Sequence, residues 1–289
     1  AASGAPDVSG RARRAAALGL ALAAAAGPAA AHVVYERTSL REWVTRSELV
    51  VVAAFESDAL VWAAPDGSDR QEHFRVRAVE TLHGVAPPEA FDFFPHAEGF
   101  PRFRAGDRAL LFLERTETRP EFATLAPRFP WFSVQGAGHE WILDGAEGER
   151  ILSVARRWRA LREDGSEDPT AAVRAIVVDQ LGSGVAPLRA DGVAELVRMH
   201  ALPGFLDATG VAAFAPFASA PALSLTQRLA VVRTLDGTPG FAAPPHLRAL
   251  AREAQVGSPA ELVQMIRMAG DGDDPELHAW LAGLAGDER

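Results

Sequence analysis

The chain has 289 residues, of which 48% are hydrophobic and 23% charged, and its formal net charge is −9. This composition is typical of a globular protein with a sizeable core, and it excludes a disordered chain, a collagen and a multi-span membrane protein. Cysteine is absent, so disulfides, thiolate metal sites and cysteine nucleophiles are excluded as well. Because an acidic chain without a basic run is poorly suited to bind nucleic acid, we expect no nucleic-acid partner.

The first 31 residues have the pattern of an export signal. A positive region, an apolar run and a small-residue cleavage pattern follow one another: Arg11, Arg13 and Arg14, then residues 15–26, then residues 29–31. The apolar run is too short to cross roughly 30 Å of hydrocarbon as a helix, which takes about 20 residues. The sequence therefore predicts a signal peptide over residues 1–31, cleavage before His32, no transmembrane anchor, and a periplasmic or extracellular location.

Strand patterns dominate from residue 33 to about residue 143. One short helix opens this region, because Ser39 as N-cap and Glu42 three residues later form a capping box. Alternating or continuous apolar runs then predict strands at 49–55, 74–84, 91–94, 108–113, 122–125, 131–134 and 141–143. The Pro and Gly residues between these runs favour a small antiparallel barrel.

The hydrophobic period changes to that of helices after Gly148. Ile151, Val154 and Trp158 fall on one face of a helix. Further helices are predicted at 191–200, 225–235 and 245–255, and after N-cap-Pro pairs at 168–169, 258–259 and 274–275. The sequence thus predicts an α+β chain with a β-barrel domain at 32–146 and an all-α domain at 147–289, joined through the small residues 145–148.

Four segments of the β region carry a resemblance to a known superfamily. They are the helix at 39–44, the strand at 47–53, the strand at 74–84 that ends in Leu-His-Gly, and the turn and strand at 103–113 that contain Gly-Asp-Arg-Ala-Leu-Leu-Phe-Leu. Over residues 33–143 this order resembles exported bacterial OB-like barrels related to the netrin/TIMP-like superfamily, which implies an OB-like antiparallel barrel.

That resemblance implies a fold and not an inhibitor. The protease inhibitors of the superfamily use N-terminal cysteines, which this chain lacks. The repeated Asp/Ser-Pro helix openings in the second half are similar to those of HEAT-type repeats, which implies a helical-repeat arrangement there.

His32 is the candidate metal ligand. After the predicted cleavage, its free amine and its imidazole could chelate one copper ion as a histidine brace, because copper favours nitrogen ligands. This resembles the copper site of lytic polysaccharide monooxygenases and of periplasmic copper carriers. Folding would have to bring a second histidine to the ion, from among His73, His83, His96 and His139. Alternatively, His32 stands at the N-terminus by chance and binds no metal; His73, for its part, is expected on the solvated face of its strand.

Aromatic residues are concentrated in the β region, and they have two interpretations. They fill the barrel core, or they form an exposed face of the kind on which OB-type barrels bind oligosaccharides or oligonucleotides. The members are Phe91, Phe93, Phe94, Phe100, Phe103, Phe129, Trp131, Phe132 and Trp141.

Three function classes stay open. The preferred one is an exported, non-catalytic binding or protein-interaction module that has a protein or carbohydrate partner and no cofactor. The second is a copper-binding protein or redox enzyme that uses His32. The third is an unrecognised hydrolase, although Ser183 lacks the flanking pattern of a nucleophile elbow. A calcium site is not predicted either, because residues 271–274 lack the glutamate that completes a calcium loop. No catalytic residue is assigned, and the sequence does not specify an oligomeric state.

Overall fold

The computed structural model describes residues 38–64, 67, 70–96, 102–133, 135, 141–164, 169–254 and 279. The chain divides into two compact units, of which one is Thr38–Glu195 and the other contains the helices that follow Leu196. The predicted signal peptide and the helix openings at 258–259 and 274–275 lie outside the described residues. The predicted domain boundary at residue 147 stays a prediction.

The described part contains six strands and seven α-helices. The strands are β1 (Leu49–Phe55), β2 (Leu60–Ala63), β3 (Arg70–His83), β4 (Ala90–Pro95), β5 (Arg108–Arg115) and β6 (Trp131–Ser133). The helices are α1 (Leu40–Arg46), α2 (Gly145–Asp164), α3 (Thr170–Leu181), α4 (Ala186–Met199), α5 (Ala208–Phe214), α6 (Leu225–Leu235) and α7 (Ala243–Ala254). Short 3-10 helices lie at Thr116–Thr118, Pro120–Phe122 and Ala215–Ser219.

Five of the strands close into a barrel in the order β1-β3-β4-β6-β5 and back to β1. Strand β2 pairs with the first residues of β3 and lies outside this ring. All barrel pairings are antiparallel except that of β4 with β6. One parallel pair is unavoidable, since a closed ring with an odd number of strands cannot alternate direction throughout. The predicted fold class, an α+β chain with an OB-like barrel followed by helices, is confirmed, with this one parallel pairing as a refinement.

The barrel interior is filled by side chains at alternate positions of its strands, as expected from the two-residue period of a strand. From β1 and β5 these are Leu49, Val51, Ala53, Phe55, Ala109, Leu111 and Leu113, and from β3, β4 and β6 they are Phe74, Val76, Phe91, Phe93 and Trp131. The outward-facing Val50 and Val52 of β1 are buried too. Helix α1 contributes to the cover on this side, where the Trp43 ring lies 5.8 Å from the ring of Phe112 on β5.

Two glycines of the sequence motifs are required by the backbone. Gly84 has φ +89°, and a Cβ at this position would lie 2.2 Å from the carbonyl oxygen of Glu48. Gly106 has φ +96°, in the turn that leads into β5. Both conformations strongly favour glycine. The motifs that carry the family resemblance therefore shape the barrel rather than a binding site.

Several predicted elements differ in the structure. The segment 122–125 is not a strand: Phe122 ends a 3-10 helix and residues 123–125 form a turn, because the buried Phe122 and Leu125 are three residues apart, a helical spacing. Segment 141–143 makes a single bridge, between Ile142 and Ala109. Residues 145–148, the predicted junction of the two domains, form the first turn of α2.

Within the second unit, α6 and α7 supply most of the buried apolar side chains, including Leu229, Val232, Leu235, Leu247 and Leu250. An ion pair joins Arg228 to Glu253. Helix α6 has the predicted bounds, 225–235. No helix in the described ranges combines the length and the apolar character that a membrane crossing requires.

Candidate functional site

The candidate site is the outside of the barrel at β2, β3 and β4. Strand alternation and the pairing registers place Trp62 of β2, His73 and Arg75 of β3, and Asp92 and Phe94 of β4 on the same side, away from the barrel interior. We call these five residues the outer face. Sequence reasoning missed Trp62, whose available signal was the short apolar run between Asp58 and Pro65.

The connection between β5 and β6 covers half of the outer face. This covering segment, residues 116–130, packs Phe122, Leu125 and Phe129 against Phe94 and Phe132 to form a second apolar cluster outside the barrel. The Phe94 ring lies 5.1 Å from that of Phe122 and 5.8 Å from that of Phe129, both edge to face. Trp62 packs on the edge of this cluster, 5.9 Å from Phe129, and stays partly exposed.

The eight described members of the predicted aromatic group are all buried, and Phe100 lies outside the described residues. The barrel-core interpretation is confirmed for four of them, three belong to the second cluster outside the barrel, and Trp141 is buried but belongs to neither cluster. Phe91, Phe93, Phe103 and Trp131 line the barrel interior, while Phe94, Phe129 and Phe132 belong to the second cluster.

His73 does lie on the outer face, but the expectation that it is solvated is wrong. The ring of Phe129 covers it at 4.9 Å, and its Nδ1 is buried with no hydrogen-bond partner. Burial lowers the pKa of His73 from its ordinary value of 6.5; the carboxylate of Asp92 opposes this shift and the guanidinium of Arg128 adds to it. The imidazole is therefore neutral at pH 7.

Charged groups lie on the outer face and on the segment that covers it. The guanidinium of Arg75 lies 3.3 Å from the Asp92 carboxylate and 3.6 Å from that of Glu56. Arg128 of the covering segment places its guanidinium 5.9 Å from the Phe129 ring centroid and is exposed. The arrangement can stack a planar or apolar group on the indole of Trp62 and donate hydrogen bonds from the two guanidinium groups.

The other described candidate histidines, His83 and His96, contact different neighbours. The Nε2 of His83 lies 3.3 Å from a guanidinium nitrogen of Arg162. The pKa of His83 is lowered, mainly by burial and in second place by the positive charge of Arg162. His96 packs edge to face on Phe122 at 4.8 Å. Within the described ranges, no group of three or more His, Cys, Asp or Glu side chains could hold a metal ion. His32 and His139 lie outside these ranges, so the copper brace stays a prediction.

Two buried carboxylates on α4 bind the beginning of α1. Asp191 accepts a hydrogen bond from the backbone N–H of Leu40 at 2.6 Å, and Glu195 accepts one from the hydroxyl of Ser39. Arg41 also reaches Glu195, at 3.4 Å. Because both carboxylates are bound to the N-terminus of a helix, they act in holding the fold. The sequence analysis predicted the Ser39 cap and missed its buried partners, which lie more than 150 residues away.

Two open cavities lie away from the outer face. A groove of about 640 Å³ runs along α2 and α3, lined by Leu161, Ala172 and Ile176 with Arg157 and Glu163 at its rim. Another, of about 490 Å³, lies at the beginning of α2 and of α4. Both are lined mainly by aliphatic side chains, so neither concentrates polar groups as the outer face does.

Comparison of the chain with protein-family models, curated proteins and solved structures yields no match.

Proposed function

We propose that this protein is an exported, non-catalytic binding module that takes a protein or carbohydrate ligand on the outer face of its barrel. The observation that carries the proposal is the partly exposed indole of Trp62, which packs on Phe129 at the edge of the second cluster, with the exposed guanidinium of Arg128 5.9 Å from the same Phe129 ring. In OB-folds, ligands bind on the face of the second and third barrel strands, flanked by the loops between strands one and two and between strands four and five. In this barrel the second and third strands are β3 and β4. The connection between the first and second barrel strands contains β2, and the connection between the fourth and fifth is the covering segment.

The chemistry of the outer face suits a ligand with flat or apolar groups next to hydrogen-bond acceptors. An indole packs against a sugar ring or an apolar side chain, and a guanidinium binds carboxylates and other acceptors. The net charge of −9 disfavours a polyphosphate such as nucleic acid.

We also propose that the barrel is related to the netrin/TIMP-like OB barrels. The motifs support this proposal, since Leu-His-Gly84 stands at the end of β3 and Gly106-Asp-Arg leads into β5, in the order typical of that group. The Asp/Ser-Pro helix openings support a HEAT-like arrangement of the later helices.

A binding screen tests the ligand site. Processed protein is applied to arrays of immobilised glycans and peptides, and the ligands retained are titrated against Trp62→Ala and Arg128→Ala. Each change should weaken binding by about tenfold or more, because Trp and Arg dominate the energies of binding surfaces. Arg233→Ala, an exposed arginine on α6, is the matched control and should leave binding unchanged. Retention that Trp62→Ala does not affect would remove the outer face as the site.

Mass spectrometry of the protein recovered from the cell exterior or the periplasm tests export. The expected N-terminal residue is His32, because the small residues 29–31 form the cleavage pattern. Recovery of a chain that retains residues 15–26 would contradict the proposal.

A further inference from the structure

We infer that the covering segment is a pH-sensitive lid, which leaves the outer face when His73 takes up a proton. This movement uncovers the second apolar cluster and enlarges the surface that is open to a ligand. The role of the lid rests on the proposed binding function, because it regulates that same surface, whereas the movement itself can be tested separately. The observations are the burial of His73, the charges around it and the contacts that hold the covering segment.

The His73 ring is enclosed by three elements. Leu60 of β2 is its cross-strand neighbour, β4 pairs with β3 from the next residue, Phe74, onward, and the Phe129 ring of the covering segment lies over it at 4.9 Å. His73 is 6% exposed, and its Nδ1 has no hydrogen-bond partner among the described residues. A proton on this atom therefore places a charge where neither water nor an acceptor reaches it, which costs free energy.

The charged groups that face His73 do not offset this cost. On β4, the Asp92 carboxylate favours the imidazolium, but it is held by the guanidinium of Arg75 at 3.3 Å. On the covering segment, the guanidinium of Arg128 opposes a second positive charge. On β3 itself, the backbone of Gln71 favours the imidazolium, and β2 has no titratable side chain. Burial outweighs these groups, so the pKa of His73 is lowered while the segment is closed.

Of the three enclosing elements, the covering segment is the one that can move without breaking the sheet. Strands β2 and β4 are hydrogen-bonded to β3 along their backbones. The backbone hydrogen bonds of the covering segment join its own residues, and the bond from the Thr116 N–H to the Pro130 carbonyl oxygen, at 3.1 Å, closes its two ends. It has the form of an Ω-loop, a compact surface loop whose ends lie close together. The ion pair of Arg119 with Glu114 is near these ends, so the ring contacts of the second cluster hold the rest of the segment on the outer face.

Proton uptake and opening of the segment are linked. In the open state His73 is in water, so its pKa returns to the ordinary value of 6.5, above the lowered value of the closed state. Below pH 6.5 the open state therefore holds a proton that the closed state lacks. A falling pH shifts the population towards the open state, by at most about tenfold per pH unit for a single proton. Above pH 6.5 His73 is neutral in both states, and the segment stays closed.

Hydrogen exchange of the full chain, at a series of pH values above and below 6.5, tests the movement. Each rate is divided by the intrinsic rate at that pH. The amides of Leu125 and Phe129, which donate within the covering segment, should then exchange progressively faster as the pH falls below 6.5. The amides of β1 should exchange more slowly than these at every pH. Corrected rates that do not change with pH overturn the inference, and so do equal rates in both places, which would mean that the whole unit unfolds.

Substitutions identify the titrating group. His73→Gln and His73→Leu both remove the titratable ring, and each should abolish the pH dependence of exchange in the covering segment. The matched control is His96→Gln, because His96 is exposed and packs on Phe122 of the same segment. The pH dependence should persist in this control. Persistence in the two His73 variants, or loss in the control, overturns the inference.

Nile red, a neutral apolar dye, tests whether the opened surface can bind a ligand. Its fluorescence with the full chain should increase as the pH falls below 6.5, because an apolar cluster becomes accessible, and should stay constant with His73→Gln. Constant fluorescence with both proteins overturns the inference. If the arrays retain ligands through Trp62 while exchange in the covering segment does not respond to pH, the proposed function stands and the lid fails. If exchange responds to pH while the arrays retain nothing, the lid stands and the proposed ligand site fails.

Discussion

At the scale of single residues, Gln180 and His73 are among the buried polar side chains of the described part that have atoms without a hydrogen-bond partner. Gln180 on α3 is fully buried, and neither atom of its amide group has a partner. His73 is buried with Nδ1 unpartnered. A buried polar group without a partner costs free energy, because its hydrogen bonds to water are lost and not replaced. We therefore expect that substituting either residue changes the stability of the protein measurably.

Replacing Gln180 should stabilise the protein. Gln180→Met keeps the length and lack of branching of the side chain and removes the unsatisfied amide, so the free energy of unfolding should rise by about 1 kcal/mol. Urea unfolding followed by circular dichroism measures it. The control is Gln71→Met, at a partly exposed glutamine whose amide already donates to the backbone of Glu72, where little change is expected. A lower stability of Gln180→Met would mean that the amide is satisfied in solution.

His73 should make stability depend on pH. Its pKa is lowered in the folded state by burial, so between that value and the unfolded value of 6.5 the unfolded chain holds a proton that the folded chain lacks. Stability from His73 is complete above pH 6.5 and falls as the pH decreases below it. The variant His73→Gln should show a flatter dependence just below pH 6.5 in urea unfolding. A slope for His73→Gln parallel to that of the unchanged protein would refute the assignment.

At the scale of elements, α1 depends on contacts made by distant residues. It has seven residues, too few to be stable as an isolated helix. Its N-terminus is capped by Ser39 and bound by Asp191 and Glu195 of α4, and its Trp43 packs on Phe112. Helix α1 therefore links the barrel to α4.

Comparing two serine N-caps distinguishes the stability contributed by helix capping from that contributed by the contact with the buried carboxylate. Ser39 and Ser224 both form capping boxes, but only Ser39 also donates to a buried glutamate, Glu195. Ser224→Ala should cost about 1 kcal/mol, the usual loss for a cap. Ser39→Ala should cost about 1–3 kcal/mol more, because a buried carboxylate loses a donor. Thermal unfolding of the two variants compares them, and equal losses would show that the Glu195 contact contributes nothing.

Element prediction succeeded where the pattern is local. Strand β1 and helix α6 have the predicted bounds, because an unbroken apolar run and a capped helical stripe are visible within one stretch of sequence. Strand β2 was missed because its four residues are too few to show a period. The prediction of a strand at 122–125 was wrong because a short apolar segment is compatible with a strand and with a helical turn. The three-residue spacing of Phe122 and Leu125 is that of a helical turn.

At the scale of the whole molecule, the stability of the first unit should depend on α4. A fragment of residues 38–199 keeps the barrel, α1 and the whole of α4, whereas a fragment of residues 38–164 loses Asp191 and Glu195. We expect the longer fragment to unfold cooperatively and the shorter one to melt at a lower temperature, because the N-terminus of α1 loses both carboxylates. Circular dichroism melts compare them. The same melting temperature for both would show that the barrel does not need α4.

The sequence by itself determined the class of the fold, most of the barrel strands and the motif glycines, since each depends on neighbouring residues and on backbone geometry. It also supports export, which stays a prediction that a mass measurement can test. Only the tertiary structure decided which surface is available. The covering segment buries His73 and forms the second apolar cluster with Phe94 and Phe132, and it leaves Trp62 partly exposed. Periodicity indicates that a strand has two faces, but not which distant segment covers the second one, because that depends on contacts between residues far apart in the chain. For the same reason, Ser39 could be predicted as a cap while its partner Glu195 could not.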